Sequence, residues 1–417
     1  MSQYDVVVVG AGIIGLNIAF QIARHSQLRI VVIERGTSVG EGSTGASSAV
    51  CRFRYSLDEV TTLARDGIHA YQHWQDYLGL DNTRASFQRE GVLWMPGTDS
   101  GWARREHARM RSMGISTELL DNRAVRERFP ALSTCSQAPD FESGEAHDCD
   151  AGVDSLFESE GGYMDPVSAA QDLVDACRQR GVELRFSERV SDLGVSNGRL
   201  NSVSLASGET LHTALLINAA GPWCRELYAQ AGLAQRWNLS PTRIQVLHRD
   251  RPASLQGHIP ITVDMAGGIY FRTQNRGQQL IVGSVREEDE RETVADPDDY
   301  PRHTDREFEL LKLHALHHRL PGLDHKGRVA GYCGLYTVNR EDVHPLVGPT
   351  AIEGFWVANG FSGHGFKLAP AIGALIAQRL CGLSGGQQQL DYGTSVPEDF
   401  LSIDREPIAM KSLSVLA

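Results

Sequence analysis

The first 36 residues carry the most regular pattern of apolar and polar positions in the chain. The segment YDVVVVGAGIIGLNIAFQIARHSQLRIVVIERG (4–36) predicts a buried strand, a glycine turn, an amphipathic helix and a second strand that ends at Glu34. Gly10, Gly12 and Gly15 have the GxGxxG spacing, which serves a tight turn, close approach to a pyrophosphate and packing of the helix on the strand. Glu34 stands where an acidic residue binds ribose hydroxyls. The pattern therefore predicts a βαβ unit that binds a dinucleotide.

Helical and strand-like spacing alternate along the rest of the chain. The pattern predicts a helix within 56–80, a strand within 87–95 and further helices to about residue 130. It then predicts a helix between Pro166 and Gly181, a strand, turn and helix in 215–232, a hairpin in 267–285, a strand in 354–360 and a helix in 369–380. The stretch from about 240 to 330 is β-rich.

Two domains follow from this order, because pieces of dinucleotide-domain type are interrupted by β-rich ones. The fold class is α/β, with a Rossmann-type dinucleotide-binding domain and a β-rich α+β substrate domain, both discontinuous. The predicted dinucleotide-binding domain comprises residues 1–86, 150–235 and 331–417. The predicted substrate domain comprises residues 87–149 and 236–330.

The segment FSGHGFKLAP (361–370) joins the strand in 354–360 to the helix that follows. Gly363 and Gly365 allow close approach to backbone N–H groups, and the start of a helix carries the positive end of its dipole. An anionic group is expected above this turn.

Composition and charge exclude several classes of partner. The 417 residues carry a formal net charge of −12 and a pI of about 5.7, which argues against nucleic acid and against an anionic membrane surface. No apolar run approaches the ~18 residues of a membrane span, so we expect no membrane insertion. The seven cysteines are scattered and are expected to be reduced thiols in a cytoplasmic protein.

Two polar segments are assigned no chemistry. The acidic run 286–307 is interpreted as a solvated loop that leads into a helix. The four histidines within 313–325 lack a carboxylate at metal-ligand spacing, so we expect surface histidines and no metal site.

Three blocks of the chain resemble the FAD-dependent amino-acid and amine oxidoreductases, the D-amino-acid oxidase superfamily, and most closely the proteins like monomeric sarcosine oxidase and dimethylglycine dehydrogenase. The blocks are the βαβ unit, GSTGASSAVCRFRY (42–55) and GFWVANGFSGHGFKLAPAIGALIA (354–377), with GGYMDPVSAAQDLV and NAAGPW between them. The resemblance implies FAD as cofactor and a 361–367 turn beneath the pyrimidine edge of its flavin ring, where reduced flavin is anionic. It implies a cofactor site formed by Gly10, Gly12, Gly15, Glu34, Arg35, Ser43, Thr44, Ala220, Gly221, Gly363, Gly365, Phe366 and Lys367.

The resemblance also implies a substrate site above the flavin. Arg52 and Lys367 match positions that hold a substrate carboxylate, and two cations suit such a group; the alternative is that each pairs with a structural acid. His364 and Tyr270 match positions that line the cavity, where they either orient the amine or pack as hydrogen-bonded residues. Tyr55 is expected to line the same space.

Three departures from the family pattern bear on the flavin. Ile281 aligns with the lysine that helps oxygen react in the sarcosine oxidases, so efficient use of oxygen is in doubt. Cys333 is offset by one position from the cysteine that binds flavin covalently in that subgroup, and the 42–50 block contains no histidine for the other type of covalent link. Non-covalent FAD is therefore expected.

These features together predict FAD-dependent oxidation of a small secondary (N-methyl) or primary amino acid at the C–N bond. Hydride transfer to flavin N5 gives an imine that hydrolyses, and the electrons pass to oxygen or to another carrier. Two alternatives stay open: a flavin-linked 2-hydroxy-acid dehydrogenase with His364 as base, and an FAD-binding assembly protein without catalysis. The oligomeric state is not predicted.

Overall fold

The computed structural model describes residues 2–144, 152–383 and 391–416. The helices of this part of the chain are α1 (Ile13–His25), α2 (Asp58–Gln72), α3 (Trp74–Leu78), α4 (Trp102–Ser112), α5 (Asn122–Arg128), α6 (Pro166–Gln179), α7 (Cys224–Gln230), α8 (Arg306–Arg319) and α9 (Gly365–Leu380), with 3-10 turns at Gly221–Trp223 and Glu287–Glu290. The strands are β1 (Ser2–Gln3), β2 (Val6–Val9), β3 (Ile30–Ile33), β4 (Val50–Cys51), β5 (Val92–Met95), β6 (Glu118–Leu120), β7 (Ser155–Glu158), β8 (Gly162–Tyr163), β9 (Glu183–Arg185), β10 (Val190–Ser196), β11 (Arg199–Leu205), β12 (Thr210–His212), β13 (Leu216–Asn218), β14 (Leu239–Asp250), β15 (Ile261–Asp264), β16 (Ile269–Gln274), β17 (Gln279–Ser284), β18 (Val329–Asn339), β19 (Leu346–Pro349) and β20 (Phe355–Asn359).

A six-stranded sheet in the order β19-β20-β13-β2-β3-β9 forms the dinucleotide-binding layer. Its strands are parallel except β19, which pairs antiparallel with β20 at the edge. The four valines of β2 are all buried, as expected for a parallel strand covered on both faces. Helix α9 packs so closely on α1 that a Cβ at Gly373 would lie 2.6 Å from the Asn17 carbonyl oxygen. The predicted Rossmann-type α/β fold is confirmed.

The β-rich region forms an eight-stranded sheet in the order β18-β14-β17-β16-β15-β5-β7-β6. The predicted hairpin is present as the antiparallel pair β16–β17. Two of the eight strands, β7 and β18, fall within ranges predicted for the dinucleotide-binding domain. The division into two domains stays a prediction, and these strand pairings place β7 and most of β18 with the β-rich part.

Helix α9 begins earlier than its apolar spacing predicts, at Gly365 instead of residue 369. Lys367 therefore stands in the first turn of the helix, and Pro370 stands inside it. Proline lacks the N–H that would bond to the Phe366 carbonyl, and the Tyr71 hydroxyl donates to that carbonyl at 2.7 Å. The break in the helix is thus compensated by α2.

The interpretation of the acidic run as a solvated loop is wrong at Glu290 and Val294, which are both buried. Glu290 ends the 3-10 turn Glu287–Glu290 and is only 6% exposed, because the main chain folds back over it. Of the four histidines within 313–325, His325 is exposed and the others are half-buried. Among the described residues, no group of three or more His, Cys, Asp or Glu side chains is arranged to hold a metal ion.

The remaining predictions concern cysteines and membranes. Cys51, Cys177, Cys224, Cys333 and Cys381 have free thiols, and Cys149 lies outside the described ranges. No helix within the described residues has the length and hydropathy that crossing a bilayer requires. The cytoplasmic location stays a prediction.

Candidate active site

A long cleft runs along the carboxyl ends of β2, β3, β13 and β20, where ligands bind in open α/β sheets. Eleven of the predicted cofactor-site residues line it: Gly10, Gly12, Glu34, Arg35, Ser43, Thr44, Ala220, Gly221, Gly363, Gly365 and Phe366. Gly15 and Lys367 lie behind its wall. The structure thus brings most of the predicted set into one continuous cavity.

The glycine turn after β2 is built from backbone packed on backbone. Gly10 has a φ of +105°, and a Cβ there would lie 2.5 Å from the Ala219 carbonyl oxygen. A Cβ at Gly15 would collide with the Gly10 carbonyl oxygen, so this glycine serves the packing of α1 on β2. At Gly12 the nearest atom to an added Cβ is the Thr44 hydroxyl, at 3.2 Å. The turn thereby leaves room for a pyrophosphate at the start of α1.

Side chains at one end of the cleft hold the turn in place. Glu34 accepts a hydrogen bond from the Ala11 N–H at 2.8 Å and another from the Gly36 N–H at 2.7 Å. Arg35 pairs with Asp298 at 2.7 Å and lies over the Trp223 ring at 4.7 Å, at the cleft mouth. The Glu34 carboxylate is thus placed beside the pyrophosphate turn, whereas Arg35 already has an acidic partner.

The middle of the cleft is formed by the loop after β3 and the turn after β13. The Thr44 hydroxyl accepts a hydrogen bond from the Ile13 N–H at 3.0 Å, and the Ser43 hydroxyl donates to the Leu335 carbonyl at 2.6 Å. Ala220 and Gly221 form the opposite wall, and Gly221 has a φ of +53°. These residues fit an extended dinucleotide, because the wall is mostly backbone and small polar side chains.

The turn before α9 closes the far end of the cleft. Gly363 has a φ of +84°, and a Cβ there would lie 2.6 Å from the Tyr336 ring. The Phe366 ring stacks on Tyr71 at 4.9 Å between centroids. Gly363, Gly365 and Phe366 line the cleft, so the first turn of α9 borders the place where the flavin ring is expected.

Arg52 and Lys367 lie together behind this turn, and both are buried. Arg52 donates to the main-chain carbonyls of Arg54 and Val415, and Lys367 donates to the Gly363 carbonyl at 3.4 Å. Burial, and to a smaller extent the Arg52 charge, lower the pKa of Lys367 to about 7. Within the described part of the chain neither cation forms an ion pair with a carboxylate, and the buried Glu158 lies near enough to Arg52 for the Arg52 charge to lower its pKa in part.

His364 occupies the N-cap position of α9 beside these cations, without a side-chain capping bond, and is fully buried. Its Nε2 lies 3.1 Å from the Val415 carbonyl oxygen, and because a carbonyl only accepts, Nε2 carries the proton. Burial, Lys367 and Arg52 hold the pKa of His364 well below its usual range. Its ring meets the Tyr55 ring edge-on at 5.0 Å, and the Arg52 guanidinium lies 4.0 Å above the Tyr55 centroid.

Tyr270 lies on a different element from this cluster, in β16 of the eight-stranded sheet. Its ring packs against Gly283 of β17, directly across the hairpin. Burial raises the pKa of its hydroxyl, and a hydrogen bond with Ser48 lowers it in part. The structure therefore joins Arg52, Tyr55, His364 and Lys367 in one group and places Tyr270 on the facing sheet.

Two acids that the sequence analysis missed support this region. Glu158 is buried at the end of β7 and accepts hydrogen bonds from the backbone of Phe53 and Arg54 and from the Trp94 indole. It thereby fixes the segment that carries Arg52. Glu290 accepts hydrogen bonds from the Val415 N–H. Strand-like spacing in FESE preceding a glycine pair was a weak signal for Glu158, and the acidic composition around Glu290 concealed its burial.

Cys333, which nearly aligns with the family's covalent flavin cysteine, and Ile281, which aligns with its oxygen-assisting lysine, both line a second cavity. Ile281 is buried and stands opposite Arg272 across the β16–β17 pair. Ile281, Arg272 and Cys333 all line this second cavity, and the Cys333 thiol donates to the His303 carbonyl at 3.2 Å. Cys333 does not line the dinucleotide cleft.

Comparison with known proteins identifies the family. The family model described as FAD dependent oxidoreductase (DAO) matches residues 5–379. The chain is 23% identical to FAD-dependent oxidoreductase domain-containing protein 1 of Xenopus laevis, over 99% of this chain and 85% of that protein. It is 26% identical to the peroxisomal sarcosine oxidase of Homo sapiens, over 89% of this chain and 91% of that one. The solved structure of L-proline dehydrogenase from P. horikoshii superimposes with a TM-score of 0.80 at 20% identity, covering 96% and 97% of the two chains. The chain therefore belongs to the DAO family of FAD-dependent oxidoreductases.

Proposed function

We propose that this protein oxidises a small amino acid, secondary (N-methyl) or primary, at its C–N bond to give an imine that hydrolyses. The observation that carries the proposal is a pair of buried cations, Arg52 and Lys367, without carboxylate partners among the described residues, beside the turn that ends the FAD cleft. The names of relatives such as sarcosine oxidase agree with an amine substrate.

The carboxylate of the substrate would be held by these two cations. Burial and the Arg52 charge lower the pKa of Lys367, and a hydrogen-bonded anion at this place would stabilise its charged form. Arg52 is fixed by stacking on Tyr55 and by main-chain acceptors, so its donors are oriented before a ligand arrives.

His364 contributes a proton donor at Nε2, which faces the same point as Arg52. While it donates to the Val415 carbonyl, Nε2 does not act as a base. The residue would instead help to orient the carboxylate so that the substrate C–H points into the cleft.

FAD, when bound in the cleft, supplies the two-electron acceptor for this oxidation. Gly10, Gly12, Glu34 and Thr44 would hold its dinucleotide part, and Gly363, Gly365 and Phe366 would lie beneath the ring. The helix start at Gly365 would stabilise negative charge there. Cys333 lies in the second cavity, which agrees with a non-covalent cofactor.

The test is anaerobic mixing of the purified FAD-bound protein with N-methyl amino acids, D- and L-amino acids and 2-hydroxy acids, followed by visible absorbance. We expect bleaching by a class of amino acids. Bleaching by 2-hydroxy acids alone would overturn the proposal. No bleaching of a flavin that dithionite reduces would indicate a protein without this catalysis.

A further inference from the structure

A main-chain segment crosses the cluster that we assign to substrate binding. We call residues 411–416 the strap. The Val415 carbonyl oxygen accepts hydrogen bonds from Arg52 and from His364 Nε2. The Val415 N–H points the other way and donates to both oxygens of Glu290, at 3.0 and 3.3 Å.

The atoms of Val415 reproduce those of an amino acid. Nitrogen, Cα and the carbonyl belong to one residue, so they have the same connectivity as the amine, Cα and carboxyl group of a free α-amino acid. Its carbonyl end meets the cations, and its nitrogen end meets a carboxyl group. A Cβ at Gly363 would lie 2.9 Å from Val415 Cγ2, so the side chain of Val415 lies beside the wall of the FAD cleft.

Glu290 is a buried carboxyl group whose side chain has no cationic ion-pair partner among the described residues. It is 6% exposed, and burial raises the pKa of its carboxyl to about 8. Arg340 donates to the main-chain carbonyl of Glu290 at 2.9 Å and lowers its pKa in part, whereas Asp289 and Glu287 raise it. The Glu290 charge contributes to the raised pKa of Tyr270 on β16 and of Tyr336 on β18, so both hydroxyl groups lie near it. Within the described ranges no cationic side chain pairs with its carboxylate.

We propose that Glu290 binds the amino group of the substrate, at the place where it holds the Val415 N–H. This inference rests on the proposed function for its choice of substrate class. Glu290 then distinguishes amino acids from carboxylic acids that lack nitrogen, while Arg52 and Lys367 recognise the carboxylate common to both. The strap occupies the position of the substrate, so it leaves when an amino acid binds.

The closing experiment measures binding and needs no turnover. N-methylglycine and methoxyacetate have the same shape and the same carboxylate, but methoxyacetate has an ether oxygen in place of the amine. Their dissociation constants are measured by isothermal titration calorimetry on the FAD-bound protein after its flavin has been reduced with dithionite, so that N-methylglycine binds and is not oxidised. The variants are Glu290→Gln, the exposed Glu288→Gln as a matched control from the same turn, and Val415→Pro, which removes the N–H and leaves Glu290 in place.

We expect the wild type to bind N-methylglycine at least tenfold more tightly than methoxyacetate. Glu290→Gln should abolish this preference by weakening N-methylglycine alone, and Glu288→Gln should keep it. Val415→Pro should tighten both ligands to the same extent, because it releases only the strap.

Equal binding of the two ligands by the wild type would overturn the assignment, and this comparison stands even if Glu290→Gln fails to retain FAD. Equal weakening of both ligands by Glu290→Gln would also overturn the assignment. A selective loss of N-methylglycine binding in Val415→Pro would overturn it too, because Glu290 would then act only by anchoring the strap. A preference that depends on Glu290, in a protein whose flavin no amino acid bleaches, would contradict the proposed function and not this inference.

Discussion

Lys367 shows how a single position combines burial with charge. Lysine is rarely fully buried unless it is paired, yet Lys367 is 6% exposed and has only a carbonyl acceptor at 3.4 Å. Its neighbours Arg52 and His364 are also polar and buried. Such an arrangement costs stability, which is typical of sites where a ligand supplies the missing partner.

Replacement of Lys367 by methionine removes the charge and keeps most of the side-chain volume. We expect the KM for the amino acid to rise and kcat/KM to fall, while FAD stays bound. The fall in kcat/KM should correspond to a loss of about 2 to 4 kcal/mol of transition-state stabilisation, the size expected when a charged binding partner is removed. Steady-state kinetics measure this effect. Lys326→Met, at an exposed position, is the control. Unchanged efficiency in Lys367→Met would exclude the residue from carboxylate binding.

The pKa of Lys367 sets the pH dependence of carboxylate binding. Because burial lowers that pKa to about 7, the free protein carries the lysine charge below this pH and loses it above. Affinity for methoxyacetate should therefore fall as the pH rises through about 7 to 8, and the same titration of Lys367→Met should lack this step. An identical pH profile in the two proteins would show that another group titrates.

At the scale of elements, α9 connects the cofactor cleft to the substrate cluster. Its first turn contains Gly365, Phe366 and Lys367, and it packs on α2 so closely that a Cβ at Gly67 would collide with the Lys367 carbonyl oxygen. Pro370 leaves one helical carbonyl without its usual donor, and Tyr71 of α2 donates instead. The position of the turn over the flavin site thus depends on contacts between two helices.

Tyr71→Phe tests this dependence because it removes only the hydroxyl. We expect the free energy of unfolding to fall by about 1 to 3 kcal/mol, since a buried carbonyl loses its partner. Urea denaturation of the FAD-bound protein measures the change, and Tyr300→Phe, near the surface, is the matched control. Equal stability of Tyr71→Phe and the wild type would mean that the proline break in α9 needs no compensation.

The hairpin β16–β17 places Ile281 where the resemblance predicts a lysine that assists oxygen. We expect Ile281→Lys to speed reoxidation of the reduced flavin by oxygen more than it changes reduction by substrate. Stopped-flow mixing of the reduced protein with oxygen measures the first rate, and anaerobic mixing with substrate measures the second. Ile281→Met, which places an uncharged side chain at the same position, serves as the comparison. If Ile281→Lys leaves reoxidation unchanged, the alignment of this strand is wrong.

At the scale of the whole molecule, the elements that glycine spacing and apolar periodicity determine within one segment were predictable from the sequence. The βαβ unit, the hairpin and the turn before α9 depend on glycine spacing and on apolar periodicity, which are visible along the chain. The sheet membership of β7 and β18 was not, because it depends on pairing between distant segments. Strand β18 lies beside β14, and residues 251–328 separate the two strands along the chain.

The candidate site divides in the same way. Gly10, Gly363 and Lys367 belong to motifs, so their spacing indicated them. Glu290 lies in an acidic run of the kind that is usually solvated, and only the return of the strap over it makes it a buried carboxyl group. Val415 belongs to no motif at all. Contacts between segments that are remote in sequence leave no periodic signal, and for that reason they were missed.

The central claim is that the protein oxidises an amine whose carboxylate is held by buried cations. The most direct measurement compares anaerobic flavin reduction by the best amino acid of the substrate panel with reduction by its carboxamide, in which the carboxylate is neutral and the amine is unchanged. The account predicts that the amino acid reduces the flavin at least a hundredfold more efficiently, and that Arg52→Met removes most of this difference. Equal reduction by the two compounds would contradict it.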